Sequence, residues 1–367
     1  LDRSAINQYH IPGAVLMENA GSGTVDYLLR ELGPVAGRDA LIFVGPGNNG
    51  GDGMVIARRL LQLGGSPFIV YLVDPHKFKG DAAVNYNTVK ALSIPSRIIL
   101  DAEAMAGFTL EIINAIVKRT PWAIIDAIFG TGLQRPLAGH FLEAVSGINR
   151  MGEASASPVI AVDIPSGLHA DTGETMGAVV QADHTATYGL AKPGHFLHGG
   201  PFCGKIHVVD IGIPASALDN AGLKGEAVDR SILDIFIDRS PSSHKGTYGH
   251  LLVLAGSAGK SGAALMSGLG ALRIGSGLVT MAVPADLRTV FESNLFEAMT
   301  LMLAESRRYP SDKDHSLIME NLAGKTALAI GPGIGTEEET RELVLRLYSE
   351  VELPMIIDAD GLNILAM

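Results

Sequence analysis

GPGNNGGDG, residues 45–53, stands between an aliphatic run, ALIFV at 40–44, and an amphipathic stretch at 53–63. A strand, a glycine-rich turn and a helix in that order form the unit from which parallel α/β sheets are wound. Glycines let the backbone of such a turn approach a ligand, and the unpaired N–H groups of the next helix attract phosphate. The alternation continues outward from this loop: strands are expected at 68–73, 97–100, 122–127, 158–162, 184–188 and 205–209, with helices at 81–92 and 109–119. After Ile213 and Pro214 the pattern dissolves into a polar stretch at 216–229, and strand-like sequence resumes only beyond Gly249. The domain boundary is therefore set near Lys224, giving a first domain over 1–223 and a second over 224–367. The second repeats the theme, with strands at 251–255, 278–282, 326–330 and 355–357 and helices at 262–274 and 337–348. The expected class is α/β, as two three-layer αβα domains.

Composition narrows the function. The 39 acidic residues outnumber the 28 basic ones, a net charge of −11, which disfavours a surface built to neutralise nucleic-acid phosphates. No apolar run reaches the ~18 residues that a membrane-spanning helix needs. Cys203 is the only cysteine, so no internal disulfide forms, and the spacing of His195, His198 and His207 around it matches no zinc pattern. A soluble protein in a reducing cytoplasm is expected, without nucleic-acid or membrane partners.

Two further strand ends in the first domain carry polar clusters. Asp126 leads into IFGTGLQRP, and Asp163 and Ser166 sit in VDIPSG. Consecutive strand ends of a parallel sheet converge on one edge, so Asn49, Asp126, Asp163 and Ser166 are expected to face a single crevice. Read literally, Gly45, Gly47 and Gly50 also satisfy G-x-G-x-x-G, with Asp74 ending the next strand where a ribose-binding acid belongs; a dehydrogenase is thus a rival reading. Asn48, Asn49 and Asp52 exceed what a pyrophosphate turn requires, and the Asp52 carboxylate would repel an anion. In the second domain AGSAGKS fails as a phosphate loop, because Leu254 stands where the first glycine is needed. GPGIG at 331–335 follows a strand and precedes a helix, a better place for an anion, and Asp358 and Asp360 end the next strand.

GPGNNGGDG, DAIFGTGLQRP and VDIPSG, with IPGAVLMENAG before them, resemble the NAD(P)H-hydrate epimerase family in order and spacing over residues 1–213. The resemblance implies a Rossmann-like domain. It also implies that Asn48, Asn49, Gly50, Gly51 and Asp52, then Gly130, Thr131, Gly132, Leu133, Gln134, Arg135 and Pro136, and finally Asp163, hold the hydrated cofactor. Asn49, Asp126 and Ser166 would hold a potassium ion, acting as a scaffold for the loops. The epimers differ at the hydroxyl-bearing carbon 6 of the reduced ring, and Asp163 is the candidate acid or base that exchanges a proton there.

KGTYGHLLVLAGS, GAALMSGLGALRIGSGLVT, AIGPGIG and IIDADGLN resemble the ADP-dependent NAD(P)H-hydrate dehydratases, relatives of the ribokinase-like carbohydrate kinases. This implies a ribokinase-like second domain in which ADP, with magnesium, assists loss of the ring hydroxyl, and a hydrate site lined by Ala263 and Gly333. That family's later motifs do not occur before Met367, and a parallel sheet stopping after the strand at 355–357 leaves edges uncovered. The protein is expected to continue for on the order of 100–150 residues. Should it end at Met367, epimerase activity is expected without dehydratase activity. A homo-oligomer is expected. A nucleotide-binding regulatory module is the reading outside enzymology.

Overall fold

The computed structural model describes every residue except 117, 118, 224, 229 and 236–238. It divides into two compact units, Leu1–Ala227 and Val228–Met367. Lys224, near which the sequence places the boundary, lies outside the described residues, as do positions 117 and 118 of the helix expected at 109–119.

The first unit is built on seven strands: β1 Asp39–Val44, β2 Ser66–Tyr71, β3 Ser96–Ile98, β4 Ala123–Ala127, β5 Val159–Val162, β6 His184–Tyr188 and β7 Lys205–Val209. Their order is β3-β2-β1-β4-β5-β6-β7, and every neighbouring pair is parallel. The chain walks outward from β1 to β3 and then returns to the other side of β1, so the loops after β1 and β4 part at a topological switch point. Alternate residues of the central strands feed two cores. Ile42, Val44, Ile125 and Ala127 pack beneath the helices Gly13–Leu32 and Asn48–Gln62, and Leu41, Phe43 and Ile124 pack against Ala102–Ile116 and Gly139–Ser155. Burial on both faces explains why these strands, Asp126 near the end of β4 apart, read as continuous apolar runs rather than alternating ones.

The helix expected from residue 53 begins five residues earlier, at Asn48, so the NNGGD stretch is its first turn and not a free loop. No glycine between 45 and 53 has a positive φ. What glycine provides here is close approach to other parts of the chain. A Cβ on Gly45 would strike the Ile128 carbonyl, one on Gly50 the Gly45 carbonyl, and one on Gly53 would come 2.5 Å from the Cβ of Ala127.

The second unit holds β8 His250–Leu254, β9 Leu278–Pro284, β10 Met299–Leu303, β11 Ala327–Ile330 and β12 Met355–Ile357, in the order β10-β9-β8-β11-β12, again all parallel. β10 was not among the expected strands. MTLML has no clear alternation and is half exposed, and it is held in place by pairing with β9 at the sheet edge. Helices Ser261–Ile274 and Glu338–Glu350 cover opposite faces, and the switch point falls between β8 and β11.

Gly53→Ala tests the close packing directly. Alanine gains about 1 kcal/mol of helix propensity, but its methyl meets the Ala127 methyl, which cannot rotate away, so a net loss of about 1–3 kcal/mol is expected in chemical denaturation. Equal or higher stability would show that the helix shifts freely against β4.

Candidate functional site

A cleft of about 840 Å³ opens at the switch point of the first sheet. Asn48, Asn49 and Asp52 line it from the first turn of the helix after β1, Gly130, Thr131 and Gly132 from the loop after β4, and Asp163 from the end of β5. Asp126 and Ser166 lie beneath it, both fully buried. The remaining expected residues do not line it. Gly50 and Gly51 are buried in helix packing, Leu133 belongs to the apolar core, and Gln134, Arg135 and Pro136 are exposed beyond its rim. Asp74 is elsewhere: its carboxylate accepts the His76 amide at 3.0 Å and caps a short 3-10 turn.

Asp163 has φ +67, a left-handed conformation that a non-glycine residue adopts at a cost of about 1–2 kcal/mol. Its amide donates to the Ala186 carbonyl at 2.8 Å, which fastens this turn to β6. One carboxylate oxygen, Oδ1, is ion-paired with Lys192 and lies 3.3 Å from the Thr187 hydroxyl. The Lys192 ammonium spends its other donors on Thr187 Oγ1 at 2.7 Å and the Tyr188 carbonyl at 3.2 Å, so its three protons are all engaged. Oδ2, in contrast, has no donor among the described residues. It faces Gly130, where a Cβ would come within 3.2 Å of it, and glycine at 130 keeps that oxygen open to the cleft.

Asp126 and Ser166 form a second, deeper group. Ser166 donates its amide to Asp126 Oδ2 at 2.8 Å and its hydroxyl to Oδ1 at 2.7 Å, and the hydroxyl accepts the Phe129 amide at 2.9 Å. Burial raises the Asp126 carboxyl to about 6 despite these Ser166 bonds. Asn49 is buried beside Gly130, near enough that a Cβ there would lie 3.5 Å from its Oδ1, and neither its amide nitrogen nor its oxygen has a partner among the described residues. A carboxylate with no cationic side chain paired to it and an amide with no partner, among the described residues, suit a weakly polarising monovalent ion, whose ligands are one charged and several neutral oxygens. Asp52, also buried, is pushed well above the usual carboxylate range by burial, by Asp163 and by Asp2.

Lys192 and Tyr188 line the cleft and were not expected from the sequence. The available signal was YGLAKPG, a cation following a strand that ends on the same edge as Asp126 and Asp163. It is one lysine among 28 basic residues, and only the pairing of β5 with β6 brings it to Asp163.

In the second unit Ala263 and Gly333 do meet: a Cβ on Gly333 would lie 3.1 Å from that of Ala263. Gly331, Gly333 and Gly335 all have positive φ, so here the glycines supply backbone freedom as well as space. The loops after β8 and β11 are tied by Gly256 N–H to the Pro332 carbonyl at 2.9 Å and by the Ser257 hydroxyl to the Gly333 carbonyl at 2.9 Å. The helix after GPGIG begins only at Glu338, and Glu338 and Glu339 occupy its first turn, so its dipole is already matched by carboxylates. Asp358 and Asp360 are not equivalent. Asp358 is exposed, whereas Asp360 accepts the Gly335 amide at 3.0 Å and pairs with Lys260 at 3.1 Å. Burial raises the Asp360 carboxyl, but the Gly335 amide and the Lys260 ammonium outweigh it and hold it below its ordinary range.

Residues 13–194 match the family described as YjeF-related protein N-terminus, and residues 251–367 match the one described as NAD(P)H-hydrate dehydratase. A bifunctional NAD(P)H-hydrate repair enzyme from Moorella thermoacetica is 38% identical over 373 residues, covering 100% of this chain and 68% of the relative. Among solved structures, the yeast protein ynu0 is 20% identical, with a TM-score of 0.51, over 63% of this chain and 93% of its own; this is a likeness of fold. An ADP/ATP-dependent NAD(P)H-hydrate dehydratase from Bacillus subtilis, co-crystallised with ATP/Mg2+, is 32% identical over 34% of this chain and 42% of its own, with a TM-score of 0.27. The two α/β units, the two family matches and the relative matched along the whole of this chain agree: the chain belongs to the family of bifunctional NAD(P)H-hydrate repair enzymes.

Proposed function

We propose that the first unit interconverts the R and S epimers of NAD(P)H-hydrate and that the second dehydrates the S epimer with ADP. The observation that carries the first half is the division of labour on Asp163: Oδ1 is held by Lys192, while Oδ2 is open to the cleft. Epimerisation requires the hydroxyl on carbon 6 to leave and to return on the other face. A proton given to that hydroxyl lets the ring nitrogen's lone pair expel it as water, forming a nitrogen–carbon double bond. Water adding to the opposite face surrenders a proton, and the ring nitrogen recovers its lone pair. Asp163, ion-paired as a carboxylate, receives that proton. Asp52, whose carboxyl burial and the neighbouring carboxylates push well above the usual range and so toward its acid form, supplies the first, and a proton passed back through water resets the pair.

A potassium ion would be held by Asn49, Asp126 and Ser166. Bound there it would neutralise Asp126 and fix the loops after β1 and β4. In the second unit the juxtaposed Ala263 and Gly333 support a hydrate site at the switch point between β8 and β11, with ADP and magnesium assisting departure of the hydroxyl.

The purified R epimer should equilibrate with S on adding enzyme alone, and adding ADP should return reduced cofactor, both followed by chromatography; an R epimer that stays unchanged overturns the epimerase assignment. Asparagine tolerates the left-handed backbone at 163, so Asp163→Asn should keep the fold and slow epimerisation by about 10²-fold or more. Turnover equal to wild type would remove Asp163 from the mechanism.

Potassium and protons compete for Asp126, whose carboxyl titrates at about 6 against an ordinary 3.8. Ionising it in the fold without a cation therefore weakens stability as pH rises through about 6, by on the order of 2–3 kcal/mol, and a bound cation restores what is lost. The gain in Tm from potassium over choline should be larger at pH 8 than at pH 5 and should vanish in Asp126→Asn. A gain independent of both would place the ion elsewhere.

A further inference from the structure

We propose that His195 is a positioning residue for epimerisation, a rigid bridge that holds the backbones of Asp163 and Lys192 so that their side chains meet. The inference rests on the epimerase reading of the first unit.

His195 is 1% exposed and ends the short 3-10 turn Pro193–His195 that follows Lys192. Its Nδ1 lies 3.1 Å from the Lys192 amide nitrogen, and its Nε2 lies 3.1 Å from the Asp163 carbonyl oxygen. An amide N–H only donates and a carbonyl only accepts, so both ring roles are settled: Nδ1 accepts, and Nε2 carries the proton and donates. A single tautomer satisfies both bonds, and a protonated ring would leave Lys192 without its acceptor. Burial, reinforced by the nearby Lys192 ammonium, lowers the imidazole to about 4 and so keeps it neutral.

These two bonds reach the two backbones whose geometry matters most. Asp163 occupies its left-handed conformation between Ala186, which accepts from its amide, and His195, which donates to its carbonyl. Lys192 must direct its ammonium back toward Asp163 Oδ1, and the imidazole bond to its own amide fixes where that side chain starts. The turn that carries His195 is fastened in addition by the Gly194 amide, which donates to the Ala170 carbonyl at 2.7 Å. A phenyl ring would fill the same space and make neither bond, so packing and hydrogen bonding are separable by substitution.

The test compares wild type, His195→Phe, His195→Gln, Asp163→Asn and the double variant His195→Phe/Asp163→Asn in epimerisation of the purified R hydrate. His195→Phe should lower kcat by about tenfold or more with KM changed by less than about twofold, as expected when a reacting group is misplaced and binding is kept. Glutamine offers an acceptor and a donor on one side chain, so His195→Gln should recover to within about threefold of wild type. With Asp163 already replaced, His195→Phe should cost nothing further. The proposal is overturned if His195→Phe matches wild type, if glutamine is as poor as phenylalanine, or if the double variant falls by the full product of the single losses. Nitrogen NMR of the wild-type imidazole keeps the proposal testable even if His195→Phe does not fold: the proton should be on Nε2, and a proton on Nδ1 would refute the bridge. Wild type that does not epimerise, with the Nε2 proton in place, would instead overturn the epimerase reading.

Discussion

The first unit depends on how closely its central helix can lie against the middle of the sheet. Gly53 faces Ala127 on β4, and Gly45 and Gly50 leave room for backbone carbonyls that any side chain would displace. This contact brings the first turn of helix Asn48–Gln62 to the switch point between β1 and β4. Asn48, Asn49 and Asp52 thereby enter the cleft from a helix, whose side-chain directions are set by its packing and do not vary as those of a free loop would. Larger residues at the glycine positions would push the helix away and carry all three polar groups with it.

The electrostatics follow from the same crowding. Asp2, Asp52 and Asp163 line one cleft, and the Lys192 ammonium is engaged by Asp163, Thr187 and Tyr188. Of these carboxyls Asp52 is pushed well above the usual carboxylate range, by burial first and then by the charges of Asp163 and Asp2, while the Lys192 ammonium is taken up by Asp163. That asymmetry suits a reaction in which one group must give a proton and another receive it. Asp126 sits deeper and meets the same difficulty differently, with three donors from Ser166 and Ile128 that only partly offset its burial.

The second unit uses a similar switch point with different means. Its glycines at 331, 333 and 335 have positive φ, and Asp360 gathers Gly335 and Lys260 into one polar anchor. Lys260 belongs to a stretch that resembles a phosphate loop, yet in the structure its partner is a carboxylate. The two glycine-rich motifs, GPGNNGGDG and GPGIG, look alike as strings and differ in conformation, because one runs into the first turn of a helix and the other holds glycines at positive φ.

Much was legible in the sequence. The aliphatic run at 40–44 announces a strand buried on both faces, since such a strand needs no polar residues, and the polar clusters at the ends of this strand and of those at 122–127 and 158–162 locate one edge of a parallel sheet. The convergence of Asn49, Asp126, Asp163 and Ser166 on that edge was expected on this ground alone, because strand direction determines where each loop emerges. β10 was not legible, because an edge strand is held by its neighbour more than by its own pattern. Nor was Lys192, or the removal of Leu133 into the core, because local sequence cannot say which turn lies over which side chain. The sequence by itself determined the strands, the order of the motifs and the edge on which they gather, for these follow from hydrophobic burial and chain direction. Only the tertiary structure decided which oxygen of Asp163 is free and which residue holds the other, because that outcome requires β5 and β6, 21 residues apart between their facing ends, to pair side by side.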